Sequence, residues 1–236
     1  MITQPTIIFD LDRTLADTIS DIVSAMNRTL AKYGIDQVSA CEVSHLTGKG
    51  GLKSMISHAF RVNDTSLADE LLNEIFAACV EDYRLNLIHE TALYPDVRAA
   101  LEKLRAEGWL LGVCTNKPVK QAEELLQGLG TYDLFAAITG ADSFEFKKPD
   151  PRHLTQTIEI AGGNLARAIM VGDTQNDILT AQNAGIPVIA VDFGYSEKHV
   201  KDYKPDRVIS SFSALFDEAA KLITCQTQGP LWSNAD

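Results

Sequence analysis

The chain has 236 residues, 45% of them hydrophobic, with 32 acidic against 21 basic side chains and a formal net charge of −11. That length buries a real core and suits one domain with a large insertion or two modest ones. The acidic balance excludes a partner gripped by its phosphate backbone, which needs a basic face, and no run approaches the ~18 apolar residues of a membrane span.

No Arg-flanked apolar stretch opens the chain, so a cytoplasmic protein acting on a small molecule is expected, without nucleic acid or membrane as partner. Cys41, Cys79, Cys114 and Cys225 form no C-x-x-C pair, and the five histidines form no H-E-x-x-H. Reduced thiols are expected, and a zinc hydrolase is not.

The first predicted element is the run "TIIFDLD", a buried strand that ends in acids. From about Asp17 to Glu90 the rhythm is helical. Ile22, Val23, Met26 and Leu30 mark one helix, Leu52, Met55, Ile56 and Phe60 a second, and Leu67, Leu71, Leu72, Ile75, Cys79 and Tyr83 a third. An α/β pattern resumes near Leu93. "DVRAALEKLRAEG" reads as a helix capped by Asp96 and stopped at Gly108, "WLLGVCTN" as a strand, and "KQAEELLQGLG" as a helix stopped at Gly130. "AIMVGDT" and "PVIAVDFG" are two further strands, and their continuous apolar character fits a parallel sheet covered on both faces. Strand alternating with helix gives an α/β fold with right-handed crossovers. Residues 1–16 and 91–224 are thus expected to form the α/β core, 17–90 a helical domain over it, and 225–236 a polar tail that is loosely held.

Ligands of an open α/β sheet bind at the carboxyl ends of its strands. The first strand brings Asp10 and Asp12 there, "WLLGVCTN" brings Thr115 and Asn116, a later loop brings Lys147 and Lys148 ahead of Pro149, and "AIMVGDT" brings Asp173 with Asp177 four residues on. Residues two apart in a strand point the same way, so Asp10 and Asp12 are expected to share a face. With Asp173 they make a patch of hard oxygen ligands suited to Mg²⁺, whose charge offsets the repulsion among close carboxylates. A lone D-x-D, a threonine after a strand or a K-P in a loop is ordinary turn chemistry. Their joint order is what carries the reading.

Asp10-Leu-Asp12-Arg13-Thr14-Leu15, Thr115-Asn116, Lys148-Pro149 and Gly172-Asp173-Thr174-Gln175-Asn176-Asp177 resemble, in order, the four motifs of the haloacid dehalogenase superfamily. "LYPDV", "TNKP", "KKPDP" and "TGKGG" look most like its phosphoglycolate phosphatase branch. The resemblance implies a Rossmann-like three-layer α/β core with a mostly parallel sheet and a helical, C1-type cap inserted after the first strand. It also implies a Mg²⁺-dependent phosphatase acting on a small phosphomonoester, most plausibly 2-phosphoglycolate, through an aspartyl phosphate. By that likeness Asp10 is the nucleophile and Asp12 the acid and base. Asp10, the backbone carbonyl of Asp12 and Asp173 hold the metal, while Thr115, Asn116 and Lys148 serve the phosphoryl group, and Asp177 orients metal-bound water or Lys148. A monomer or homodimer is expected.

The likeness breaks at Arg13, where that branch usually carries glycine to ease the turn. Its side chain is expected to point away from the metal; the sharper alternative has the guanidinium reach the cap or a substrate carboxylate. In "HLTGKGGLKSM" the turn of Gly48, Gly50 and Gly51 precedes a helix from about Leu52, so its free amides beside Lys49 are candidates for a small anionic group. Other chemistries share these residues: a sugar phosphomutase, or a phosphonatase using a cap lysine such as Lys49 or Lys53. The dehalogenase branch normally lacks the second acid, so Asp12 disfavours it. Outside enzymes, a phosphorylatable receiver module carries its acceptor on a later strand and has no cap, and the intact acid set argues against a silent binding protein.

Overall fold

The computed structural model describes residues 4–194 and 200–228, with side chains for all of these but 47–49 and 225–228. The first strand, β1 (Thr6–Phe9), is followed by a two-residue strand β2 (Ala16–Asp17), then by helices α1 (Ile19–Ala31), α2 (Ala40–Val43), α3 (Leu52–Val62) and α4 (Asp69–Leu85). Strand β3 (Ala92–Leu93) returns the chain antiparallel beside β2, pairing Ala16 with Leu93. The helical insert therefore leaves and re-enters at one place.

Beyond it run α5 (Val97–Ala106), β4 (Leu110–Cys114), α6 (Val119–Gly128), β5 (Ala137–Thr139), α7 (Pro151–Ile160), β6 (Ala168–Gly172), α8 (Gln175–Ala184), β7 (Val188–Val191), β8 (Arg207–Ile209) and α9 (Leu215–Gln228). Six strands form one parallel sheet in the order β5-β4-β1-β6-β7-β8. The four apolar runs became its four inner strands. The two edge strands, β5 and β8, were not expected from the sequence.

Alternation along β1 fills both faces. Ile7 and Phe9 join α5, α6 and α9 through Leu101, Leu125 and Leu222 on one side, and Ile8 joins α7 and α8 through Leu154, Ile158 and Ile178 on the other. The insert has its own apolar centre of Met26, Leu30, Met55, Ile56, Phe60, Ile75 and Cys79. Asp96 does occupy the N-cap position of α5, but in the left-handed region at φ 64° and without a hydrogen bond to the helix. Burial of Leu222 and Ile223 against the sheet carries α9 through residue 224 and on to Gln228. Residues 229–236 of the expected tail lie outside the described residues. No helix among the described residues is long and apolar enough to cross a membrane.

Candidate active site

Strand pairing of β1 stops at Phe9, so both acids sit in the loop past the strand end. Strand alternation therefore does not set their directions, and the expected common face is not what the two side chains show: Asp10 meets Lys148 and Asp12 meets Thr18 and Lys117. Asp10 still donates its amide to the Val171 carbonyl at 2.9 Å, which keeps it on the sheet edge, whereas Asp12 bridges to Ala16. The Leu11 carbonyl accepts from the amides of Thr14, Leu15 and Ala16 at 3.0–3.3 Å, closing a tight loop that places Arg13 at φ 62°. That left-handed backbone is the reason glycine is easy at this position.

Lys148 reaches the acids from the loop before α7. Its buried ammonium donates to Asp10 Oδ1 at 2.7 Å and to Asp177 Oδ1 at 2.5 Å. Asn116 fixes that loop: its side-chain amide donates to the Lys148 carbonyl at 3.0 Å and its Oδ1 accepts from the Lys148 amide at 3.1 Å. Thr115 is buried beside it, and its hydroxyl accepts from the Lys117 amide at 3.2 Å. At the end of β6, Thr174 caps α8 and donates its amide and hydroxyl to Asp177 Oδ2 at 2.9 and 2.6 Å. Both Asp177 oxygens are thereby engaged, and its carboxylate holds Lys148. Gly172 has to be glycine, because a Cβ there would lie 2.3 Å from the Asp177 side chain.

Asp10, Asp173 and Asp177 offer buried oxygens within 4.8 Å of one another. Burial pushes the Asp10 carboxyl up to about 6, with Lys148 opposing and Asp177 and Asp12 adding to the rise. Burial likewise raises Asp173 to about 7 against Arg13, aided by Asp177 and Asp10. Lys148 is costly to bury, yet its two carboxylate partners hold it above the ordinary lysine range. Thr14 Oγ1 donates to Asp173 Oδ1 at 3.2 Å. Asp173 Oδ2 is buried with no hydrogen-bond partner among the described residues; a Cβ on Gly194 would sit 2.5 Å from it. Crowded carboxylates, a leftover buried acceptor and no sulfur or imidazole in the cluster make a donor set for a hard divalent cation.

Arg13 does not point away from this cluster. Its NH2 lies 3.1 Å from Asp173 Oδ2, an ion pair without the alignment of a hydrogen bond, and its NH1 donates to the Ser44 carbonyl of the insert at 3.1 Å. The guanidinium is drawn inward because it offsets the negative charge of the buried Asp173 carboxyl, whose rise it opposes. Asp12 takes a different direction from the other acids. Its Oδ1 accepts from Thr18 Oγ1 at 2.8 Å and from Lys117 Nζ at 2.9 Å, and Lys117 Nζ also donates to the Tyr83 hydroxyl at 3.1 Å. Burial opposes the Asp12 charge, but Lys117, Thr18 and Arg13 outweigh it and hold the carboxyl below its usual range.

Lys117 was read from sequence only as the residue after Asn116, and Tyr83 only as an apolar helix position. The signal that marks Lys117 is a lysine three residues past a strand end that already carries Thr115. Gly48 and Lys49 fall in a 3-10 turn (Ser44–Lys49) ahead of α3, and their side-chain level lies outside the described residues. A cavity of about 460 Å³ opens between insert and sheet edge, with Asp10, Asp12, Thr115 and Lys148 on the core side and Ile22, Leu52, Met55, Phe76 and Val80 on the insert side.

The family model for haloacid dehalogenase-like hydrolases matches residues 7–191, from the first strand to the seventh. The chain belongs to that family. It is 43% identical to a phosphoglycolate phosphatase of Mesorhizobium japonicum over 92% of this chain and 96% of that one. It is 44% identical to a phosphoglycolate phosphatase of Agrobacterium fabrum over 90% and 91%. Among solved structures, that of a predicted phosphoglycolate phosphatase from Haemophilus somnus 129PT superposes with a TM-score of 0.85 at 29% identity, covering 92% of this chain and 99% of that one. This member of the haloacid dehalogenase-like hydrolases is a phosphatase on that fold.

Proposed function

We propose that the protein hydrolyses 2-phosphoglycolate with Mg²⁺, through a phosphorylated Asp10. The observation that carries this reading is the set Asp10, Asp173, Asp177 and Lys148, three acids within 4.8 Å of one another, two of which, Asp10 and Asp177, are tied by one buried ammonium at 2.7 and 2.5 Å. Likeness to named phosphoglycolate phosphatases along nine-tenths of the chain supports the substrate.

Asp10, Asp173 and the Asp12 carbonyl are the residues that would hold the ion. Mg²⁺ supplies charge neutralisation where an anionic nucleophile must approach an anionic phosphate. An Asp10 oxygen attacks phosphorus, the bond from phosphorus to the ester oxygen breaks, and the Asp12 carboxyl gives its proton to the leaving alkoxide. Asp12 then takes a proton from water, whose oxygen attacks phosphorus as the bond to Asp10 breaks, releasing phosphate. Lys148 and the Thr115 hydroxyl stabilise the phosphoryl oxygens. The structure holds Asp12 charged, as the second half requires; a bound substrate with two anionic groups beside it favours the protonated form that the first half requires.

The test is steady-state hydrolysis of 2-phosphoglycolate, sugar phosphates and nucleoside monophosphates, with Mg²⁺ and with EDTA, in the wild type and in Asp10→Asn. A Mg²⁺-dependent preference for phosphoglycolate that vanishes in Asp10→Asn is expected. Turnover that survives in a folded Asp10→Asn protein would overturn the mechanism, and an even spread over the panel would overturn the substrate.

A further inference from the structure

The phosphoryl chemistry uses Asp10, Asp12, Thr115 and Lys148, and leaves two buried cations of the cleft, Arg13 and Lys117, without a task; of these Lys117 is the one that touches Asp12. Lys117 has a side chain only 4% exposed. Its Nζ lies 2.9 and 3.2 Å from the two Asp12 oxygens, 3.1 Å from the Tyr83 hydroxyl and 4.6 Å from the centre of the Tyr83 ring. Tyr83 belongs to α4, so this ammonium sits where the core meets the insert. A lysine has three N–H donors. The two Asp12 oxygens and the Tyr83 hydroxyl take all three, and the contact to Asp12 Oδ2, the longest at 3.2 Å, is the one a substrate oxygen replaces when Asp12 takes up its proton.

The leaving ester oxygen has to meet Asp12 at hydrogen-bond distance to receive its proton. In 2-phosphoglycolate one methylene separates that oxygen from the carboxylate, which places the carboxylate about 3–4 Å further on by ordinary bond lengths. Among the described residues the other buried cations are held by carboxylates no more than 9% exposed, whereas Asp12, the partner of Lys117, is 26% exposed. Arg13 is paired with Asp173 and Ser44, and Lys148 with Asp10 and Asp177. Leu52, Met55 and Phe76 on the insert side are apolar, and Lys147 stands exposed at the rim.

We infer that Lys117, braced by Tyr83 of the helical insert, reads the second anionic group of the substrate and selects a carboxylate beside the scissile ester. The inference rests on the reading of phosphoglycolate as substrate. A hydrogen bond from a charged donor, with about 1.5–3 kcal/mol at stake, converts to a discrimination of roughly 10- to 100-fold. A neutral hydroxyl tail of the same length can accept from the ammonium but forms no ion pair with it, so it gains only part of this.

The experiment compares kcat/KM for 2-phosphoglycolate with that for 2-hydroxyethyl phosphate, an analogue of the same length whose tail is uncharged, in wild type, Lys117→Met, Lys117→Arg, Tyr83→Phe and Lys147→Met. Damage to Asp12 lowers both substrates and cancels in the ratio. Expected are a ratio that collapses roughly 10- to 100-fold in Lys117→Met, partial return in Lys117→Arg, a several-fold fall in Tyr83→Phe, and no change in Lys147→Met. An unchanged ratio in folded Lys117→Met, or a collapse in Lys147→Met instead, overturns the assignment. Should Lys117→Met fail to fold, Tyr83→Phe decides alone, and an unchanged ratio there rejects it. A wild type without preference for phosphoglycolate removes the substrate reading, and this inference with it; a wild-type preference that survives in Lys117→Met removes this inference only.

Discussion

Asp10 and Asp173 keep their protons to about pH 6 and 7, because burial and neighbouring carboxylates penalise the second and third negative charge. For an acid whose folded value lies above its unfolded value of about 4, the folded state binds the extra proton between the two. These groups thus withdraw stability as pH rises from about 4 toward 7. A divalent cation needs them ionised, so metal and proton compete. Mg²⁺ affinity measured by calorimetry is expected to fall as pH drops below about 7, with protons released on binding, and to flatten above about 8. An affinity independent of pH from 5.5 to 8 would contradict the acid set. Arg13 enters the same balance twice. Its charge lowers the Asp173 value, and its Nη2 stands 3.1 Å from Asp173 Oδ2, an oxygen that has no other partner among the described residues to offer a cation in its place. Arg13→Gly, which also relieves the φ of 62°, is expected to bind Mg²⁺ about tenfold more tightly at pH 8 and to show a steeper loss toward pH 6. Equal affinities at pH 8 would deny the competition. These side chains also divide by legibility. Asp10, Thr115 and Asp173 were readable because each follows an apolar run at a strand end, and Lys148 through the Lys-Pro pair in a loop between two such runs. Arg13 and Lys117 were not, since their directions depend on Ser44 and Tyr83, partners 31 and 34 residues away.

The element scale follows the same logic. Strands buried on both faces are written as continuous apolar runs and were found, whereas β5 and β8, three residues each at the sheet edges, carry too little pattern to announce themselves. The Asp96 cap failed because its backbone is left-handed, at φ 64°, where an N-cap residue needs extended backbone; its carboxylate accepts instead from Ser211 Oγ, 115 residues on, at 3.4 Å. Re-entry of the insert depends on another tertiary acid. Asp21, in the first turn of α1, accepts from the amides of His89, Glu90 and Thr91 at 2.9–3.0 Å and from the Thr91 hydroxyl at 2.7 Å. Burial opposes its charge, but the Thr91 hydroxyl and these amides outweigh it and hold the carboxyl below its usual range. A depressed acid contributes stability above its unfolded value of about 4 and loses it as pH falls through the lower folded value. Asp21→Asn keeps one acceptor oxygen and sets an NH₂ against N–H donors, so a loss of about 2–3 kcal/mol is expected in urea denaturation at pH 7. The gap to wild type should narrow as pH falls below about 4 and Asp21 itself begins to take up a proton. Equal midpoints at pH 7 would mean that the return segment is held by other contacts.

For the whole molecule, charge is distributed against its own chemistry. A protein of net charge −11 has to admit an anion, while Arg13, Lys117 and Lys148 are buried in the cleft. Each of those cations already faces a carboxylate within 3.1 Å, so their fields are largely cancelled a short distance away. The approaching substrate therefore meets the net negative charge first and the cations only on contact. Salt separates the two ranges. Raising KCl from ~10 mM to ~150 mM shortens the screening length from ~30 Å to ~8 Å, which removes the long-range repulsion and leaves contacts near 3 Å almost untouched. At fixed Mg²⁺, kcat/KM is expected to rise several-fold over that range, and more steeply for phosphoglycolate than for 2-hydroxyethyl phosphate, which carries one fewer negative charge. A fall with salt would show instead that the cleft cations dominate the field well outside the protein and steer the anion in. It would also mean that the Asp12–Lys117 and Asp10–Lys148 pairs are not closed in the free enzyme, because only unpaired ammonium groups reach that far.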